Sequence, residues 1–411
     1  MAEALHFCSV ETLGRAFRSG EFSPLELTRA LLARIERLDP GLNAFILCDA
    51  NAALAAARAA GEELAGGRDR SPLHGVPVGI KDIINVAGLP TTCHPMILNG
   101  RGPAAADSAV VGRLRAQGTV VLGKLATHEF AIGGPSFDLP FPPARDPWNR
   151  EHHPGGSSSG SGAVLAAGFF PAALGTDTGG SVRNPASCCG IVGLKPTYGL
   201  VSRRGVFPLA FTLDHVGPMT RTVADNALLL DAITAFDPED PGSIPARRAA
   251  FGRDIGRGVH GQRIGFVRHF HEEDVPADPE VAAALEEAAR VLQAEGAVVR
   301  QVRLPSLNEF GAVNRVIMSA EAWAMHAPWL RTRAGDYGAL ARRRLLAGAF
   351  LSAGDYVQAM QRRREMIAAV DGVFARWTCC WRRAIWIRRA ASTMRRRSRA
   401  PIRARHARPS T

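Results

Sequence analysis

The sequence predicts an α/β fold with helices on both faces of a central sheet. Three observations carry this. Helical and strand periodicities alternate along the chain. The strand candidates VPVGIKDII, TVVLGK and ALGTDT are short apolar runs of the buried type. Hydrophobic residues make up 46% of the 411, ample for a core. Ser23-Pro24-Leu25-Glu26 reads as a capping box with proline at the first helical position, and the helical spacing that follows stops at Asp39-Pro40-Gly41. An Ala-rich helix is expected over Ala50–Ala65, then a strand through VPVGIKDII. Residues 108–117 read as a helix and TVVLGK as a strand. Residues 137–156, rich in Pro and aromatics, read as a loop. Residues 164–170 read as a buried helix, 261–267 as a strand, 280–295 as an amphipathic helix and AVVRQVRL as a strand.

The net charge of +12 looks at first like a nucleic-acid signature. Eleven arginines and no acid lie in residues 377–411, and removing them leaves +1 for residues 1–376. The tail also holds three of the six tryptophans and two of the seven cysteines, without periodicity. Read one base out of register, codons 377–381 allow Val/Leu/Met-Asp-Val/Leu/Met-Leu-Leu, a buried-strand pattern suited to follow the helical segment ending at Phe374. The expected organisation is therefore a domain over 1–376, incomplete at its C-terminal end, and an Arg-rich, frameshifted, disordered tail over 377–411. The rival is a genuine basic arm for RNA or anionic surfaces. No membrane span or signal segment is read, and the odd, scattered cysteines argue for a reduced, cytoplasmic protein.

Several motifs fail on physical grounds. GTVVLGK resembles a P-loop, but Leu125 stands where a hydroxyl must hold magnesium, and its β-branched residues suit a strand. His152-His153 lacks further ligands at metal spacing, so no metal or cofactor is expected. Gly156-Ser157-Ser158-Ser159-Gly160 matches GxSxG, but the preceding RDPWNREHHP cannot be the strand of a nucleophile elbow. What survives is a pair of serine-bearing Gly/Ser clusters within residues 155–181, plus Lys81 in an apolar run. Taken singly, each cluster has a bland reading, a linker or a tight turn. For Lys81 the bland reading is an ion pair with Asp82.

GGSSSGSGAVLAAG, ALGTDTGGSVRNPASCCGIVGLKPTYG and GVPVGIKDIINVAGLPTT together resemble the amidase signature family. The similarity runs from about Leu25 to Ile233 and more weakly to about Phe374. The resemblance implies an α/β/α sandwich with a mixed central sheet, and amide hydrolysis by a Ser–cis-Ser–Lys triad. Ser181 falls on the nucleophile, Ser157 on the bridging cis-serine and Lys81 on the base. The N–H groups of Thr178, Gly179, Gly180 and Ser181 are expected to face the oxyanion. Ser158 and Asp177 are expected to orient the turn, and Arg183 to brace it or bind an acidic substrate. The implied activity is an amidohydrolase forming an acyl-enzyme on a small amide, with a homodimer possible. Two alternatives stand beside it. One is a place among the A subunits of tRNA-dependent glutamyl/aspartyl amidotransferases, working as a glutaminase. The other is an inactive remnant. KLATHEFAIGGPSFDLPFPPARDPWN departs from the amidotransferase pattern and favours the stand-alone amidase.

Overall fold

A computed structural model describes residues 5–93, 96–98, 100–245 and 250–381. Its centre is a six-stranded mixed sheet flanked by helices. The strands are β1 (Phe45–Cys48), β2 (Pro77–Lys81), β3 (Val120–Leu125), β4 (Ala172–Asp177), β5 (Val192–Gly193) and β6 (His215–Thr220), in the order β1-β3-β2-β4-β6-β5. Strand β2 runs parallel to both β3 and β4, whereas β1 and β6 run antiparallel to their neighbours. All of β2 and β4 is buried, which explains their continuous apolar runs. Because they are parallel neighbours, Lys81 and Asp177 end adjacent strands on the same edge of the sheet.

The helices start where the sequence places caps. Ser23 and Glu26 form a complete capping box at Pro24–Leu38, and Asp49 caps Ala50–Ala65. GTVVLGK is the strand β3, and Lys124 pairs with Asp82 at 2.9 Å. At Gly123 the backbone has φ +148°, and a Cβ would collide with the Leu47 carbonyl of β1. Gly123→Ala is therefore expected to lower stability by about 1–3 kcal/mol, the range for overpacking. Urea denaturation checks this, and an unchanged midpoint would refute it.

Two expectations are corrected. The helix anticipated over 164–170 spans Ser159–Ala166, so the second half of the Gly/Ser cluster is helical. Small residues permit its close approach, since a Cβ on Gly160 would collide with the backbone of Ala44 and Ala126. The second correction concerns the tail. Trp377 packs on a small cluster of Val267, Phe270, Val302 and Leu307, with the Arg263 guanidinium 5.2 Å from its ring centroid. Cys379–Trp381 then form β9, parallel to β7 (Arg263–Phe266), which pairs with β8 (Val298–Gln301) on its other side. Cys379–Trp381 thus pair as a strand in the given frame, although a strand is expected there only in the shifted frame. Ladder bonds use backbone groups, so an edge position accepts a wide range of side chains. Residues 382–411, with all eleven tail arginines, lie outside the described residues.

Three helices after β8 go largely unread in the sequence: Leu307–Arg333, Ala339–Leu346 and Ala353–Phe374. Among the described residues, no helix is long and apolar enough to cross a membrane.

Candidate active site

Lys81 closes β2 with no solvent exposure. Its Nζ lies 2.7 Å from Ser157 Oγ, 2.7 Å from Thr176 Oγ1 and 3.0 Å from Ser158 Oγ. Asp82 turns away to Lys124, which removes the ion-pair reading of Lys81. Burial depresses the Lys81 amine to about 7, against the opposing pull of Asp177 and Asp214. An amine in that state has a lone pair for a hydroxyl proton. Among the described residues its ring of partners consists of hydroxyls and the Thr176 carbonyl, with no carboxylate touching Nζ to hold the proton there.

Ser157 follows a cis peptide bond from Gly156. Its loop is pinned on both sides. The His128 N–H donates to the Ser157 carbonyl at 3.0 Å, and the Gly156 N–H donates to Asn184 Oδ1 at 2.9 Å. A side chain on Gly156 would collide with the His128 ring. Ser158 donates its N–H to the Ser181 carbonyl at 3.2 Å, tying the two serine turns together. Its hydroxyl also accepts from the Thr176 N–H at 3.2 Å, so Ser158 and Thr176 lock β4 to the start of the helix.

The turn from Thr178 to Val182 leads from β4 into helix Arg183–Cys189. Ser181 is half-buried, and open space lies beside Gly180, whose φ of +124° suits glycine. Asp177 is fully buried and organises this turn. It accepts from the N–H groups of Gly180 at 2.8 Å and Val182 at 3.1 Å, and from Arg183 through Nε at 3.0 Å and Nη2 at 2.8 Å. Burial alone would raise its carboxyl, but the guanidinium and backbone donors hold it near 2. Arg183 thus pairs with Asp177 through two of its guanidinium nitrogens. One oxyanion donor is corrected: the Gly180 N–H points at Asp177 rather than at the open face. Among the described residues, nothing accepts from the N–H of Gly179 or of Ser181.

Thr176, Asn184, Asp214 and Asn314 are the residues that sequence reasoning missed. Asp214 accepts from Thr178 Oγ1 at 2.5 Å and from the N–H groups of Leu209 and Ala210. Burial lifts its carboxyl to about 6. Thr176 carried a signal, since it adjoins Asp177 inside ALGTDT. Asn314 carried none, because it comes from a helix more than 130 residues downstream.

Comparison with known proteins agrees with this architecture. The Amidase family model matches residues 26–379. Glutamyl-tRNA(Gln) amidotransferase A subunits are similar over most of the chain. That of Chloroflexus aggregans is 40% identical over 88% of this chain and 78% of its own length. That of Roseiflexus castenholzii is 42% identical over 85% and 74%. Among solved structures, the native peptide amidase of Stenotrophomonas maltophilia superposes with a TM-score of 0.78 at 33% identity, covering 89% of this chain and 82% of that one. A bacterial aryl acylamidase gives 0.83 at 28% identity, covering 91% and 79%. The chain belongs to the amidase signature family.

Proposed function

We propose that the protein is an amidohydrolase that cleaves a carboxamide C–N bond through Ser181, Ser157 and Lys81. The observation that carries this reading is the fully buried Lys81, with its Nζ 2.7 Å from the Oγ of Ser157, whose neighbour Ser158 donates its N–H to the Ser181 carbonyl at 3.2 Å. Ser181 Oγ attacks the amide carbonyl, and its proton passes by way of Ser157 to the Lys81 amine. The tetrahedral oxyanion is received by the N–H groups of Gly179 and Ser181, with Thr178 completing the expected set. Collapse breaks the C–N bond, and the proton returns to the departing ammonia or amine. Water, deprotonated along the same route, then releases the acid from the acyl-enzyme. Asp177, Arg183 and Ser158 hold the two turns in register.

A serine-directed fluorophosphonate tests the reading. Wild type is expected to label and Ser181→Ala to lose labelling, with amide hydrolysis reduced on the order of 10⁶-fold. Labelling that persists in Ser181→Ala would exclude Ser181 as nucleophile.

The identity to amidotransferase A subunits favours a second reading, a glutaminase that passes ammonia to partner proteins. Glutamine hydrolysis with and without such partners separates the two, strict dependence supporting the second. The thiols of Cys48, Cys93, Cys188, Cys189 and Cys379, none of them in a disulfide, support a reduced, cytoplasmic setting. We also propose that residues 377–411 are read out of frame, which resequencing the gene across codon 376 decides.

A further inference from the structure

We infer that Asn314 is a positioning residue for the oxyanion site, acting through the peptide unit that joins Thr178 to Gly179. This rests on the amide-hydrolase reading above. Asn314 lies on helix Leu307–Arg333, and its Nδ2 donates to the Thr178 carbonyl at 3.2 Å. A trans peptide is rigid and planar, with C=O and N–H pointing in opposite directions. Fixing the Thr178 carbonyl therefore fixes the direction of the Gly179 N–H, a donor in the turn that no acceptor engages among the described residues. With the Gly180 N–H already turned to Asp177, the aim of Gly179 counts for more.

The same residue is held from its other side. Thr178 Oγ1 donates to Asp214 Oδ1 at 2.5 Å, so the side chain and the carbonyl of Thr178 are gripped by two different elements. One helix steadies both grips. Two turns beyond Asn314, Glu321 accepts from the Thr212 N–H at 3.0 Å and its hydroxyl at 2.6 Å, within the loop that carries Asp214. Glu321 is itself buried and also accepts from Tyr356 Oη at 2.9 Å. Ile317, between them on the same face, is fully buried. The distal helical layer thereby sets the geometry of a turn that belongs to the central sheet.

The test measures inactivation by an alkyl fluorophosphonate. In this reaction the Ser181 O–P bond forms, the P–F bond breaks, fluoride leaves and the serine proton passes to Lys81. The P=O oxygen occupies the oxyanion position. Asn314→Ala is expected to lower the maximal inactivation rate about 10- to 100-fold, part of the ~10²–10³-fold that follows outright loss of an oxyanion donor. The half-saturating probe concentration is expected to stay within about threefold, since binding energy expressed only in the transition state leaves ground-state affinity alone. Asn314→Asp has the same shape but presents a carboxylate oxygen to the Thr178 carbonyl, and is expected to be at least as slow as the alanine variant. The pH midpoint of the rate should remain where Lys81 sets it, and the thermal transition should stay within a few degrees. Wild-type rates in both folded variants overturn the inference alone. Absence of Ser181-dependent labelling in wild type overturns it together with the catalytic reading. A fall in rate accompanied by a displaced pH midpoint also overturns it, because the defect then lies at the base.

Discussion

Replacing Lys81 with methionine is expected to lower the rate of Ser181 acylation or phosphonylation by about 10⁴-fold, the upper end for loss of a general base. Methionine fills the same buried volume but offers no lone pair to Ser157. In wild type the same rate should rise with pH, with its midpoint near 7, because Lys81 accepts a proton only as the neutral amine and burial depresses it to about 7. A rate still climbing near pH 10, or one indifferent to pH, would remove Lys81 from the role.

Stability supplies a second readout of opposite character. The unfolded lysine titrates near 10.5 and the folded one near 7. Between these values the unfolded chain binds the extra proton, so this group makes stability rise with pH. Its burial cost is fully felt below about pH 7 and is relieved as the pH climbs toward 10.5. Lys81→Met removes that dependence. The variant should therefore gain most over wild type below pH 7, with the difference shrinking through the alkaline range. Denaturation at pH 6 and pH 9 measures it, and a difference constant across that range would contradict the depressed amine.

Much of this site was legible in the sequence because its parts are local in the chain. The Gly/Ser turns, the strand ending in Lys81 and the GTDTGGS turn each declare themselves through composition, and family resemblance joined them. Gly180 was misread because only the fold shows Asp177 curling back under its own turn to take that N–H. The helix at Ser159 was misread for a related reason. Glycine and serine signal a loop until packing against Ala44 and Ala126 demands small residues in a helix. Asn314 was invisible because its partner, Thr178, lies 136 positions away and it carries no motif, and Asp214 shows its role only once Thr178, Leu209 and Ala210 converge on it. Residues 377–381 show the converse. Their composition argues against order, yet the edge of β7 offers backbone groups that a strand can pair with.

Asp177→Ala is expected to be the most damaging substitution that leaves the three proposed catalytic side chains in place. It strands the Arg183 guanidinium and uncaps the N–H groups of Gly180 and Val182. Breaking a buried pair by removing one partner costs about 3–5 kcal/mol. Arg183 retains 27% exposure, so water recovers part of that cost and the lower end applies. The turn carrying Ser181 loses its organiser, and a shift of about 1 Å in a nucleophile costs on the order of 10²-fold in rate. Acid should not mimic the substitution above about pH 4. The Asp177 carboxyl is held near 2, so the stabilisation from its ionised form is complete above its unfolded value of 3.8 and fades only as pH falls toward 2. Asp177 therefore does not set the acid limb of activity. A double-mutant cycle with Arg183→Met separates the two contributions of Asp177. If the stability loss comes from the stranded cation, the double variant should recover much of it while the rate stays low, because the backbone donors remain uncapped. Additive stability losses, or a rate restored by Arg183→Met, would show that Asp177 does not act through both the cation and the turn.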